Sequence, residues 1–204
     1  MFSAVGIDNL SARASKTDSI LEWYTAMNEF TSNSPDSVPL EALKRRLDNL
    51  VERRNQVTHR GGNPEDLIGV DEMRETADFI VGFTRSLYTV TVASLLKLSH
   101  VASTKAKSLT IVENPKKDGY VVIIAKPLFR IAKNQPVFGL ADTWGARWGR
   151  ILEIQVNDVS VPCVEPSDAP DVVGLRLDFQ CTKGTDLYLL SEEDSAVWES
   201  AKSI

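Results

Sequence analysis

Residues 39–62 read PLEALKRRLDNLVERRNQVTHRGG, and their spacing predicts a helix from Pro39 to about His59 that stops at Gly61-Gly62. Proline suits a first helical turn because its missing N–H has no partner there anyway. At about 100° per residue, Leu40, Leu43, Leu47, Leu50, Val51 and Val57 form one apolar stripe, and Arg54 falls inside it. A permanently charged guanidinium in such a stripe needs a partner, so Arg54 either pairs with a buried acid or lines a cleft at a helix or subunit seam. Asn55 and His59 lie four residues apart, one above the other beside the stripe.

Helical periodicity extends on both sides. An earlier helical stretch is expected over residues 4–30, with a break near Ser15 to Asp18, and residues 31–37 form a polar connector. A long helix is expected from Val70 to Val101, with Asp71, Glu72 and Glu75 near its N-terminus, where the helix dipole favours acids. After about residue 107 the pattern changes to short β-branched and aromatic runs. Strands are expected at 108–113, 120–126, 136–140, 150–155, 159–164, 172–180 and 186–190, with hairpin signals at Lys117-Asp118-Gly119 and Asn157-Asp158. A last helix is expected from Ser191, where Ser191-Glu192-Glu193-Asp194 resembles a capping box. The fold class is therefore α+β. A helical domain at 1–104 precedes a β-rich domain at 105–204, a small antiparallel barrel or strongly curved sheet with a short C-terminal helix.

Composition narrows the function classes. Two histidines and two cysteines, Cys163 and Cys181, are too few for a zinc site or a disulfide framework, so no metal or cofactor is expected. Buried free thiols are favoured over a bridge. No uninterrupted apolar run of membrane-spanning length is visible, and the start at Met1 lacks a basic flank, so a cytoplasmic protein without a membrane partner is expected. The net charge of -5 conceals two basic clusters. Lys44, Arg45, Arg46, Arg53, Arg54 and Arg60 outnumber the acids of 41–60, and Lys126, Arg130, Lys133, Arg147 and Arg150 face Asp142 alone in 121–150. Interleaved with the second cluster are Phe129, Trp144 and Trp148, so RNA stacking and phosphate contact stand there beside core packing and solvated faces. His100 reads as a helix C-terminal cap.

The stretch Leu50 to Gly61, with Arg54-Asn55 followed by His59, resembles the signature helix of the HEPN superfamily, above all its RiboL-PSP type. Arg60 intervenes before the glycine, a small departure from that pattern. The resemblance covers roughly residues 1–104. It implies a HEPN-like helical bundle and a metal-independent endoribonuclease, homodimeric through the helical domain, with catalytic Arg54, Asn55 and His59. His59 would move protons, Arg54 would stabilise the phosphate, and Asn55 would orient one or the other. Arg53 and Arg60, from the first basic cluster, are expected to add RNA contacts beside the motif. The resemblance further implies a 2′,3′-cyclic phosphate product, an RNA substrate, and a toxin-antitoxin or antiviral defence setting with an antitoxin or regulatory protein as partner. Beside this stands a catalytically silent HEPN-like module in which the same residues stabilise a dimer, RNA or antitoxin contact.

Overall fold

The computed structural model describes residues 9–28, 35–60 and 69–190, with the backbone alone at Val57, His59 and Arg60. The expected glycine stop at Gly61-Gly62 and the capping box at Ser191 lie outside these residues. The chain is mixed α and β, helices first and a curled antiparallel sheet second. Two compact units divide it within the long helix, between Thr91 and Val92, and the first unit also takes in Asp142–Trp144.

The helical unit holds α1 (Leu10–Ala14), α2 (Asp18–Met27), α3 (Leu40–Arg60) and α4 (Val70–Leu96) as far as Thr91; the last turn of α4 and the π turn that continues it over Lys97–Val101 belong to the second unit. The break expected near Ser15 separates α1 from α2. Ile20, Val38, Leu43 and Phe79 are buried at the centre, and the Phe79 ring lies 4.7 Å from Trp23. A polar ladder ties α2 to α4 in this core: Thr17 donates to Ser86 at 2.6 Å, and Ser86 donates to the Gly82 carbonyl at 2.8 Å. Gly82 permits that approach, because a Cβ there would sit 2.8 Å from the Ser19 carbonyl oxygen.

Ion pairs set the register of α3 on α4. Arg46 pairs with Glu75 at 2.7 Å and donates to Thr76 at 3.0 Å, while two turns later Arg53 pairs with Glu72. Rising numbers on α3 thus meet falling numbers on α4, so the two run antiparallel. The apolar stripe read from the sequence is narrower than expected: Leu43 is buried and Leu47 and Leu50 are half-buried, but Leu40 and Val51 are exposed at 48% and 55%.

Among the described residues the second unit has nine strands: β1 (Lys107–Leu109), β2 (Val121–Ala125), β3 (Ile131–Ala132), β4 (Pro136–Ala141), β5 (Gly145–Val156), β6 (Val159–Val161), β7 (Cys163–Val164), β8 (Val172–Leu177) and β9 (Asp186–Leu189). The main sheet runs β1-β9-β4-β5-β8-β2, with β6 on β5, and all of its pairings are antiparallel. After Leu109 the chain leaves β9 and joins β2, where Val112 donates to Ile123 at 2.9 Å and Ala125 donates to Thr110 at 2.8 Å. The sheet therefore curls, and the segment that follows β1 bridges to β2 through Ile111 and Ile124. Its concave face holds Val122, Ile124, Val137, Ile151, Leu175 and Leu187.

The other face of β4 and β5 meets the end of α4, where Val92, Ala93 and Leu96 pack on Phe138, Leu140 and Ala146. This accounts for the burial of β4 on both sides. It also bears on Val70–Val101, the one helix among the described residues long and apolar enough to cross a membrane: 44% of its most apolar stretch is buried within the protein. Both hairpin signals fall on turns, with Asn157 and Asp158 at φ 50° and 63° between the paired Val156 and Val159.

Candidate functional site

Arg54 is exposed and makes no ion pair or side-chain hydrogen bond with any described residue, which corrects the expectation of a guanidinium inside a packed stripe. The physical reason is the direction of the seam. Arg46 and Arg53 point at α4 and find Glu75 and Glu72, so those two arginines occupy the seam. Arg54 is turned about 100° past Arg53 and leaves it. Asn55 is exposed one residue further on, and Thr58 donates to the Arg54 carbonyl at 2.7 Å. His59 lies on the same helix one turn beyond Asn55. The side chains of His59 and Arg60 lie outside the described residues.

The flank of α3 that carries Arg54 can be placed. Leu47, Val51 and Arg54 each follow a seam residue by one position, as do Met73, Ala77 and Ile80 on α4. For antiparallel helices, a turn in that same sense leads to the same side of the hairpin. Arg54 therefore borders a surface bearing exposed Val51, Met73 (58%) and Ile80 (46%). Two cavities of this unit, of about 260 and 320 Å³, lie elsewhere: one is lined by Trp23 and Glu75 between α2 and α4, the other by Leu40, Leu43 and Phe83 beside α1.

Arg53, expected to hold RNA, has its charge engaged by Glu72, with both side chains 40% exposed. In the second basic cluster, Lys126 and Lys133 are exposed, and Arg130 is paired with Glu165 at 2.9 Å. Arg150 donates to the Asn134 carbonyl, and its backbone N–H donates to Asp178 at 2.8 Å. Arg147 donates to the Gln180 carbonyl at 3.0 Å. Because strand side chains alternate, Arg147 and Arg150 leave β5 on opposite faces, and the five cations do not share one surface. Trp144 is 3% exposed and Trp148 is half-buried against Phe138. Trp144 thus offers no ring face to a base.

His100, read as a cap, is buried in the π turn with Ser99 Oγ 2.6 Å from its Nδ1 and its ring edge toward Phe138. Cys163 and Cys181 are free thiols. Burial pushes the Cys181 thiol up to about 12, against the opposing pull of Arg147. Among the described residues no group of histidine, cysteine or carboxylate side chains could hold a metal ion. The residues missed from the sequence are Glu72 and Glu75. Their place in the first turns of α4 suits the helix dipole, but each is also a counter-ion for an arginine some twenty to thirty residues earlier. No protein-family model matches this chain, and no curated protein shows significant similarity to it.

Proposed function

We propose that the protein is a HEPN-type, metal-independent endoribonuclease acting through Arg54, Asn55 and His59. One observation carries the reading. Of three arginines on one face and flank of α3, Arg46 and Arg53 are matched by acids of α4, while Arg54, the arginine of the motif, is left exposed without a counter-ion among the described residues. An uncompensated cation on a helix that also carries a histidine suits phosphodiester cleavage, in which charge builds on the non-bridging phosphate oxygens.

In the proposed reaction the 2′-hydroxyl loses its proton to a general base and attacks phosphorus. The bond to the 5′-oxygen breaks, and that oxygen takes up a proton. His59 serves one or both proton transfers, Arg54 bears on the phosphate oxygens, and Asn55 orients the phosphate or the imidazole. The products are a 2′,3′-cyclic phosphate and a 5′-hydroxyl. The apolar surface beside Arg54 supports the companion proposal of a homodimer that brings two such helices together over a shared cleft. A role in toxin-antitoxin or antiviral defence, with an antitoxin as restraint, follows by association with the family resemblance alone.

The exposed apolar side chains of Val51, Met73 and Ile80 beside Arg54 favour a second reading, a silent module that binds RNA or a protein through the same face. Incubation of the purified protein with structured RNA in excess EDTA separates the two. Cleavage that persists with chelator and vanishes in His59→Ala and Arg54→Ala is the expected result. Cleavage retained in both variants, or lost with EDTA alone, refutes the nuclease proposal.

A further inference from the structure

We infer that Glu72 is a positioning residue for this centre: by holding Arg53 as its counter-ion, it leaves Arg54 as the one cation of the tandem pair that meets the scissile phosphate. The inference rests on the nuclease reading above and adds a residue from outside the motif. Arg53 and Arg54 leave α3 about 100° apart, and either guanidinium alone could grip a phosphate in bidentate fashion. Arg53 is captured by Glu72 across the seam, and Arg46 is captured by Glu75 and Thr76 two turns earlier. These two latches lie along one line and fix the rotation of α3 about its own axis, which sets where Arg54 and Asn55 point.

The latch at Arg53 is the more open of the two, with side-chain exposures of 40% on both partners against 17% and 30% for Arg46 and Glu75. It is also the one beside the motif. Removing the carboxylate would free a second cation next to the phosphate. That cation would tighten binding and draw the nucleotide toward the seam, away from the Asn55 side of the helix. Tighter binding with slower turnover is the signature of such a misplacement, whereas a purely structural loss would weaken both.

The test uses full-length protein and a 5′-labelled single-stranded RNA, with binding measured over a series of KCl concentrations and cleavage measured in EDTA. Each additional phosphate contact steepens the dependence of log affinity on log salt by about 0.7 for a single strand. E72Q is expected to steepen the slope by about that amount, lower KM and reduce kcat about tenfold, short of the roughly hundredfold that a 1 Å displacement costs. R53Q/E72Q is expected to return the slope to the wild-type value, and R53Q alone to keep it. A shallower slope in R53Q overturns the proposal, because Arg53 would then already touch phosphate, and this arm does not depend on E72Q folding. An unchanged slope and kcat in folded E72Q overturn it as well. Wild-type protein that neither binds nor cleaves RNA refutes the nuclease reading instead, and takes this inference with it.

Discussion

Replacing Gly82 by alanine sets two opposed effects against each other within the helical core. Alanine is favoured over glycine in a helix interior by about 1 kcal/mol, so an exposed site would gain stability. At Gly82 the new Cβ would lie 2.8 Å from the Ser19 carbonyl oxygen, against an ordinary carbon-oxygen contact of about 3.3–3.6 Å. The obstacle is backbone of α2, not the far end of a flexible side chain, so relief requires moving α2 by about half an ångström. Such overpacking costs about 1–3 kcal/mol. The shift also strains the bonds from Thr17 to Ser86 and from Ser86 to the Gly82 carbonyl, each contributing about 0.5–1.5 kcal/mol net. Steric cost therefore wins, and Gly82→Ala is expected to destabilise by about 1–2 kcal/mol, or a fall in Tm of about 2–4 °C per kcal/mol. Urea unfolding followed by circular dichroism reads this directly, with Gly69→Ala, whose added Cβ meets nothing within 4 Å, as the comparison. A Gly82→Ala protein as stable as the wild type or more so would refute the close-approach argument.

Asp158→Val should destabilise by about 1–2 kcal/mol in the same assay, because it forces a β-branched residue to φ 63° in the turn between β5 and β6. Iodoacetamide should label native protein at half-exposed Cys163 and spare Cys181, as mass spectrometry of the digested product would report. The Cys181 thiol ionises near 9 when unfolded and near 12 when folded, so its contribution to stability is full below about pH 9 and is lost as pH rises between those values. Cys181→Ala should lose that alkaline decline, as urea midpoints on either side of pH 9 would show. Ile80→Asp and Val51→Asp should convert the proposed dimer to monomer in analytical ultracentrifugation, and a wild-type protein that sediments as a monomer removes the dimer proposal.

Much of the helical layout could be read before any coordinates, because a period near 3.6 marks which residues turn together. The break at Ser15 to Thr17, the start of α3 after Pro39 and the reach of α4 to Val101 all follow from it. What the period does not supply is which edge of a stripe is covered. Leu40 and Val51 count as core by hydrophobicity, yet the covered face of α3 is turned toward Arg46 and Arg53, whose partners lie on a different helix. The motif arginine was legible as a residue but misplaced as an environment. In the sheet, β5 begins at Gly145, five residues before the expected start, because Gly145 and Gly149 interrupt the β-branched and aromatic pattern although they sit in register opposite Ala141 and Val137. The two-residue β3 carries too little pattern to be recognised without its partner Cys163–Val164.

The place of β9 in the sheet has a consequence for the order in which the chain acquires structure. This strand comes last in the described chain and yet lies between β1 and β4, pairing Leu189 with both Lys107 and Val137. The β4 and β5 hairpin needs only neighbouring sequence, but β1 has no strand on its β9 side until residue 189 is available. During synthesis the apolar concave surface waits, unfinished, until that strand has emerged. The α3 and α4 hairpin, whose ion pairs span some twenty to thirty residues, draws on contacts nearer in sequence and can settle before it.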